Sequence, residues 1–294
     1  MTSPLARLVA CGFVLALGAW GLHVRTGLEA SDASGDGLSL ERARSLQDRS
    51  HALLGQGRED EALPLLQQLH DAFPDNPIYL RELAEIHDAR GEWQTEVGLW
   101  ERYLELSPTP WDACPKLGDA YRKLGKQAES IRAFERCLAT QPRDPDLIFY
   151  LAHAYERAGR FLEARTTYRR GLEVAPDYPD LQLGLARMEV FIGDPARAQG
   201  LAESVLRKRP ASAEALLVLG MALRSRHRLD EAAAVLRRGL AISPDSVDLL
   251  TVLGGVAEQL DRRAEAIACY RRALRQEPGS EALKKRLDRL GGTR

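Results

Sequence analysis

The chain has 294 residues, 45% of them hydrophobic and 28% charged, with 41 Lys and Arg against 42 Asp and Glu for a net charge of −1. The apolar fraction excludes a chain disordered throughout, and the charge balance excludes a protein built mainly to coat nucleic acid. Four cysteines in so long a chain exclude a disulfide-stapled mini-domain, and only 6% of residues are aromatic, with Leu, Ala, Arg and Glu prominent, a helix-forming composition.

Residues 8–22, LVACGFVLALGAWGL, form an apolar stretch that includes Cys11. The uncharged run between Arg7 and Arg25 corresponds to a helix of roughly 25 Å, slightly short of the ~30 Å hydrocarbon core of a membrane. It lies on the boundary between a membrane anchor and a secretory signal. The best candidate cleavage site, Leu28-Glu29-Ala30, carries a charge at its centre, so residues 1–30 read as a retained anchor, crossing the membrane through 8–24, ahead of a cleaved signal. Residues 31–39, SDASGDGLS, read as a flexible linker. Arg7 and Arg25 sit on opposite sides of the stretch, so the positive-inside rule barely discriminates. The expectation is an inside N-terminus with the remainder translocated, to a periplasmic or other extracytoplasmic side; secretion after cleavage is the alternative.

From residue 40 a period takes over. Prolines fall at 74, 108, 142, 176, 210, 244 and 278, always 34 residues apart. If each proline is position 32, the repeats begin at Ala43, Pro77, Trp111, Pro145, Pro179, Ala213 and Val247. Position 8 is small throughout: Ser50, Ala84, Gly118, Ala152, Ala186, Gly220 and Gly254. Position 20 holds Ala62, Ala164, Ala198, Ala232 and Ala266, with Glu96 and Ser130 as exceptions. Position 24 takes a large side chain, Leu66, Trp100, Phe134, Tyr168, Leu236 or Tyr270, with Ala202 in repeat five. Alternating large and small slots let two helices interdigitate without voids. Position 15 holds glycine in repeats one to five, where a helix end needs the left-handed conformation, but His227 and Asp261 in the last two. Pro64 falls inside a second helix, where it costs a hydrogen bond or bends the axis. A one-residue shift in repeat two, burying Val97 in place of Glu96, would remove a polar defect.

This pattern resembles a tetratricopeptide repeat array over residues 43–280. The resemblance implies an all-α fold, a right-handed α-solenoid of seven helix-turn-helix repeats over 40–280. Residues 281–294 supply a capping helix and tail, with Leu283, Leu287 and Leu290 on one face. Each hairpin covers only one of its own apolar faces, so stability is a sum of repeats and nearest-neighbour interfaces. The resemblance also places Cys114 and Cys137 opposite each other in one hairpin. An oxidising compartment would permit a disulfide there, but the reading favoured is two small buried hydrophobes.

Catalytic motifs are missing. There is no His-x-x-x-His or Cys-x-x-Cys, and the stretch Gly118 to Lys126 has the wrong spacing for a phosphate loop, with Gln127 in place of Ser or Thr. No cofactor, metal, nucleic acid or small-molecule substrate is expected, and the chain reads as no enzyme. Arg169-Arg170, Arg237-Arg238 and Arg271-Arg272 at positions 25 and 26 read as solvated cations near helix C-termini.

The family's fold turns positions 5, 9 and 12 of each first helix into a concave surface. These slots are polar in repeats one to three, with Gln47, His51, Arg81, Glu85, Asp119 and Arg122. In repeats four to six they form an apolar lane of Phe149, Leu183, Leu217 and Met221 flanked by His153, Arg187 and Arg224. The functional expectation is a membrane-tethered protein–protein interaction scaffold that grips a partner segment along this lane. By family analogy it assists assembly of envelope, secretion or cytochrome-maturation machinery. The alternatives are a cytosolic adaptor or co-chaperone, or the regulatory arm of an enzyme. The chaperone-tail variant of the family uses Lys and Asn at positions 5 and 9, and neither occurs there.

Overall fold

The computed structural model describes residues 38–107 and 112–292, so the apolar stretch at 8–22 and most of the linker lie outside the described residues. The described residues hold fifteen α-helices and no strand, in two compact bodies divided after Ser107.

The first body contains repeats one and two: α1 (Leu40–Gly55), α2 (Glu59–Ala72), α3 (Pro77–Ala89) and α4 (Trp93–Leu106). Ser39 and Asn76 cap α1 and α3, each side chain accepting a backbone N–H of the first turn. Helix α2 runs unbroken through Pro64, whose ring is exposed. In repeat two no register shift occurs. Glu96 and Val97 are both buried, and Glu96 accepts the Trp100 indole N–H at 3.2 Å one turn along α4. The carboxylate thus fills its small slot beside the large knob, not in place of it.

The second body contains the other five repeats and the closing helix: α5 (Cys114–Lys123), α6 (Gln127–Thr140), α7 (Pro145–Arg157), α8 (Phe161–Val174), α9 (Pro179–Ile192), α10 (Pro195–Lys208), α11 (Ala213–Ser225), α12 (Leu229–Ile242), α13 (Val247–Gln259), α14 (Arg263–Gln276) and α15 (Glu281–Arg289). Each helix packs on its chain neighbours, and the first helices α5, α7, α9, α11 and α13 also pack on one another in succession. Leu283 and Leu287 close the end of the stack on Tyr270 and Leu250.

Close approach within each repeat explains the small slot. A Cβ built on Gly118 would lie 2.1 Å from the Phe134 ring, one on Gly220 2.5 Å from Leu236, and one on Gly254 2.5 Å from Tyr270. In repeat three the exceptional Ser130 donates its hydroxyl to the Gly118 carbonyl at 2.8 Å, so the polar atom enters the contact already bonded.

Most turns close by one device. The amide three residues past the first helix donates back to a carbonyl five residues earlier, as from Arg58 to Leu53 and from Arg228 to Leu223, with position 15 left-handed between. His227 at φ 59° and Asp261 at φ 55° adopt that conformation without being glycine. Gly193 corrects the expectation for repeat five. Its φ is −132°, outside the left-handed region. The buried carboxylate of Glu189 instead accepts the Asp194 N–H at 3.1 Å, and a Cβ on Gly193 would collide with that carboxylate at 1.8 Å. Glycine is needed there for space.

Helix α5 begins three residues later than the repeat register places it. Pro115 then falls at its second position, in the first turn, where its missing N–H costs no intrahelical hydrogen bond. Cys114 and Cys137 form a disulfide across this shortened hairpin, with Cα atoms 6.2 Å apart, so the expectation of two free thiols is overturned. The arginine pairs lie at the surface, and two of their members also fasten neighbouring repeats. Arg170 donates to the Pro142 carbonyl at 2.7 Å and Arg272 to the Pro244 carbonyl at 2.8 Å, tying each repeat to the one before it.

Two substitutions test these constraints by urea denaturation at neutral pH. His227→Gly removes left-handed strain costing ~1–2 kcal/mol but adds glycine's unfolded-chain entropy, for a net gain of about 0.5–1 kcal/mol. Gly220→Ala drives a methyl into Leu236 and loses about 1–3 kcal/mol.

Candidate functional site

The second body carries a hollow of about 510 Å³ between α5, α6 and α7. Its floor is aromatic. Phe134 and Tyr150 stack with centroids 5.8 Å apart and planes 10° off parallel, and Phe149 and His153 stack at 6.0 Å and 8°. Phe134 belongs to the core and reaches the hollow through the opening left by Gly118; Tyr150 is 36% exposed. Polar walls come from Lys116, Asp119, Arg122 and Arg157. Burial would raise the Asp119 carboxyl, but hydrogen bonds from Arg122 and Lys123 outweigh it and hold the group below its ordinary value. Burial lowers the His153 imidazole, keeping it neutral at neutral pH and suited to an aromatic floor. Cys137 lies three residues beyond Phe134 on α6, and Cys114 immediately precedes Pro115 in the wall, so the disulfide fixes the two helices that form this side.

A second hollow, of about 400 Å³, shares His153 and opens toward Leu217 on α11 and Asp248 on α13. Beneath it lies an ion-pair network spanning three repeats. Arg187 on α9 donates to both carboxylate oxygens of Glu156 on α7 at 2.9 and 3.1 Å, and to Glu214 on α11 at 2.5 Å. The Tyr168 hydroxyl adds a bond to Glu156 at 2.8 Å. Burial alone would raise Glu156, but the bonds and charge of Arg187 outweigh it and lower the carboxyl. Burial likewise opposes the Arg187 charge, and Glu156 overcomes it, raising the guanidinium.

The apolar lane read from the sequence is only partly assembled. Phe149 and His153 meet in the first hollow, while His153, Arg187 and Leu217 border the second. Leu183 is 2% exposed and packs in the core with Ala186 and Leu219, so it offers no surface: neighbouring first helices approach closely enough to cover it. Met221 and Arg224 are half-buried and line neither hollow. Arg187 is held by two carboxylates of its own chain. Sequence reading missed Tyr150, Arg157 and Phe134 as site residues. In the sequence Phe134 reads as a packing knob, and Tyr150 falls at position 6, beside the slots that line the surface. Among the described residues no group of three His, Cys, Asp or Glu side chains is placed to hold a metal ion.

Family models described as tetratricopeptide repeats match residues 48–109, 112–144, 145–188, 181–247 and 223–287, which together take in nearly every helix above. The chain belongs to the tetratricopeptide repeat family. Among solved structures it is similar to a tetratricopeptide repeat protein from Parabacteroides merdae, at 16% identity over 84% of this chain and 98% of that one, with a TM-score of 0.71. A thermophilic repeat protein from Thermus thermophilus is 24% identical over 61% of this chain and 98% of its own, with a TM-score of 0.55. YrrB, described as a repeat protein with an unusual peptide-binding site, is 17% identical over 63% of this chain and 95% of its own, with a TM-score of 0.50. At these identities the likeness establishes the tetratricopeptide fold and nothing finer. No curated protein matches the chain in sequence.

The Glu156 network gives a pH signature. A carboxyl lowered in the folded state contributes stability that is complete above its unfolded value, near 4.5, and is lost as pH falls through the lower folded value. Melts of the protein should therefore lose stability below about pH 4.5. Glu156→Gln should cost about 1–3 kcal/mol at pH 7 and flatten that acid limb.

Proposed function

We propose that this tetratricopeptide array is a non-catalytic interaction scaffold that takes a polypeptide segment of a partner in the hollow floored by Phe134, Phe149, Tyr150 and His153. The observation that carries the reading is that floor. The partly exposed rings of Phe149, Tyr150 and His153 lie at a concave site, with the buried Phe134 ring stacked against Tyr150. Partly exposed aromatic surface is costly in water, and aromatic side chains in pockets dominate binding energy at protein interfaces. YrrB, with its peptide-binding site, offers a precedent in the same fold.

The proposal extends to place. Residues 8–24 tether the chain to a membrane, and the repeats work on its oxidising, extracytoplasmic side. The support is the apolar stretch in the sequence and the Cys114–Cys137 disulfide, a bond that persists in such compartments and not in reducing cytosol. There the scaffold would serve assembly of envelope machinery. Among the described residues no helix is long and apolar enough to cross a membrane, so the tether rests on residues 8–24 alone.

Two measurements test these statements. Crosslinking full-length protein in membranes and purifying it should recover a partner, and Phe149→Ala should cut that recovery at least tenfold with little change in melting temperature; equal recovery would remove the hollow from the reading. Deleting residues 1–30 should move the protein from the membrane to the soluble fraction with its helical signal intact, since α1 begins at Leu40 under its own Ser39 cap.

A further inference from the structure

Helix α7 separates charge between the two hollows. Glu156 and Arg157 are consecutive, so their side chains leave the helix about 100° apart. Arg157 faces the first hollow and Glu156 the second. The neighbouring helices extend the division. The first hollow gathers Lys116, Arg122 and Arg157 against one carboxylate, Asp119, which Arg122 and Lys123 already engage. The second gathers Glu156, Glu214 and Asp248 against Arg187 alone, and Arg187 is spent on the first two. Neutral His153 stands between them as a shared wall. One continuous surface is thus cationic and aromatic at one end, anionic and hydroxyl-lined by Ser243 and Ser246 at the other.

We infer that the occupant, resting on the proposed reading of the aromatic hollow, is a charge-polarised peptide: an apolar or aromatic anchor with Asp or Glu at one end, Lys or Arg at the other. Complementarity of charge selects it. A nucleic acid would be repelled by the carboxylate end, and a uniformly acidic or basic segment would be favoured at one hollow and opposed at the other. The spacing follows from the helices. Three steps between neighbouring first helices, each about 9 Å, separate Lys116 on α5 from Glu214 on α11 by roughly 27 Å. An extended chain covers that span with about eight residues at ~3.3 Å each.

The test pans a naive phage-displayed library of 12-residue peptides against the full-length protein, then measures synthetic versions of the enriched sequences by fluorescence anisotropy. Enriched peptides should carry an acidic cluster, an aromatic or aliphatic anchor and a basic cluster, the two charged clusters about eight residues apart. Lys116→Glu with Arg157→Glu should weaken them at least tenfold, as should Glu214→Lys with Asp248→Lys, and all four changes together should select peptides of reversed polarity. These four side chains are exposed, and Arg157→Gln and Glu214→Gln, read for a weaker loss, replace any reversal that fails to fold. Enrichment of peptides lost on Phe149→Ala but lacking separated charge overturns the polarity and leaves the aromatic hollow standing. No enrichment, or peptides indifferent to Phe149→Ala, overturns both.

Discussion

Everything in this molecule depends on how closely two helices of one hairpin approach. At Gly118, Gly220 and Gly254 there is no room for a single methyl group, because a ring or a leucine from the second helix already occupies it. That contact sets the geometry of the hairpin, the hairpin leaves one apolar face uncovered, and the next repeat covers it. The aromatic hollow is a by-product of the same contact. Phe134 is the knob that fills the Gly118 slot, and its buried ring is the platform on which the exposed Tyr150 ring stacks. Packing and recognition draw on one side chain.

Two local devices adapt this plan. Where the turn residue is not glycine, the backbone keeps the same closing hydrogen bond and accepts strain at His227 and Asp261. Where the turn loses its left-handed residue, in repeat five, the Glu189 carboxylate supplies the missing acceptor. Repeat three, with its shortened first helix, is joined by a covalent bond. The disulfide closes a 23-residue separation, which in a chain-entropy account stabilises by about 3 kcal/mol.

The fold was legible in the sequence because a repeat writes each constraint seven times. Position 8 needs a small residue and shows one every 34 residues; no single glycine would have been interpretable. Departures were legible only as departures. Glu96 looked like a register error because the sequence does not show that Trp100 presents its indole N–H one turn away. Leu183 looked like surface because the slot rule says where a side chain points, not how near the adjacent helix lies. Arg187 looked like a free flank because its partners, Glu156 and Glu214, are 31 and 27 residues distant. Charge separation between the hollows is likewise a property of repeats three to seven considered together.

That same arginine limits how this array can change over time. Solenoids lengthen and shorten by duplicating or deleting whole repeats, since each copy meets its neighbours through equivalent surfaces. Repeats four to six are not equivalent in this sense. Glu156, Arg187 and Glu214 occupy three successive repeats, and excising the middle one brings two carboxylates together with no cation between them. Duplicating it leaves a second guanidinium short of an acid. Growth and loss by recombination are therefore penalised in the middle of the second body and left freer toward its C-terminal end, where ion pairs such as Arg237–Glu265 and Arg262–Asp230 each join two neighbours with no residue shared among three repeats. The network numbers the repeats, making three interchangeable hairpins into an ordered series.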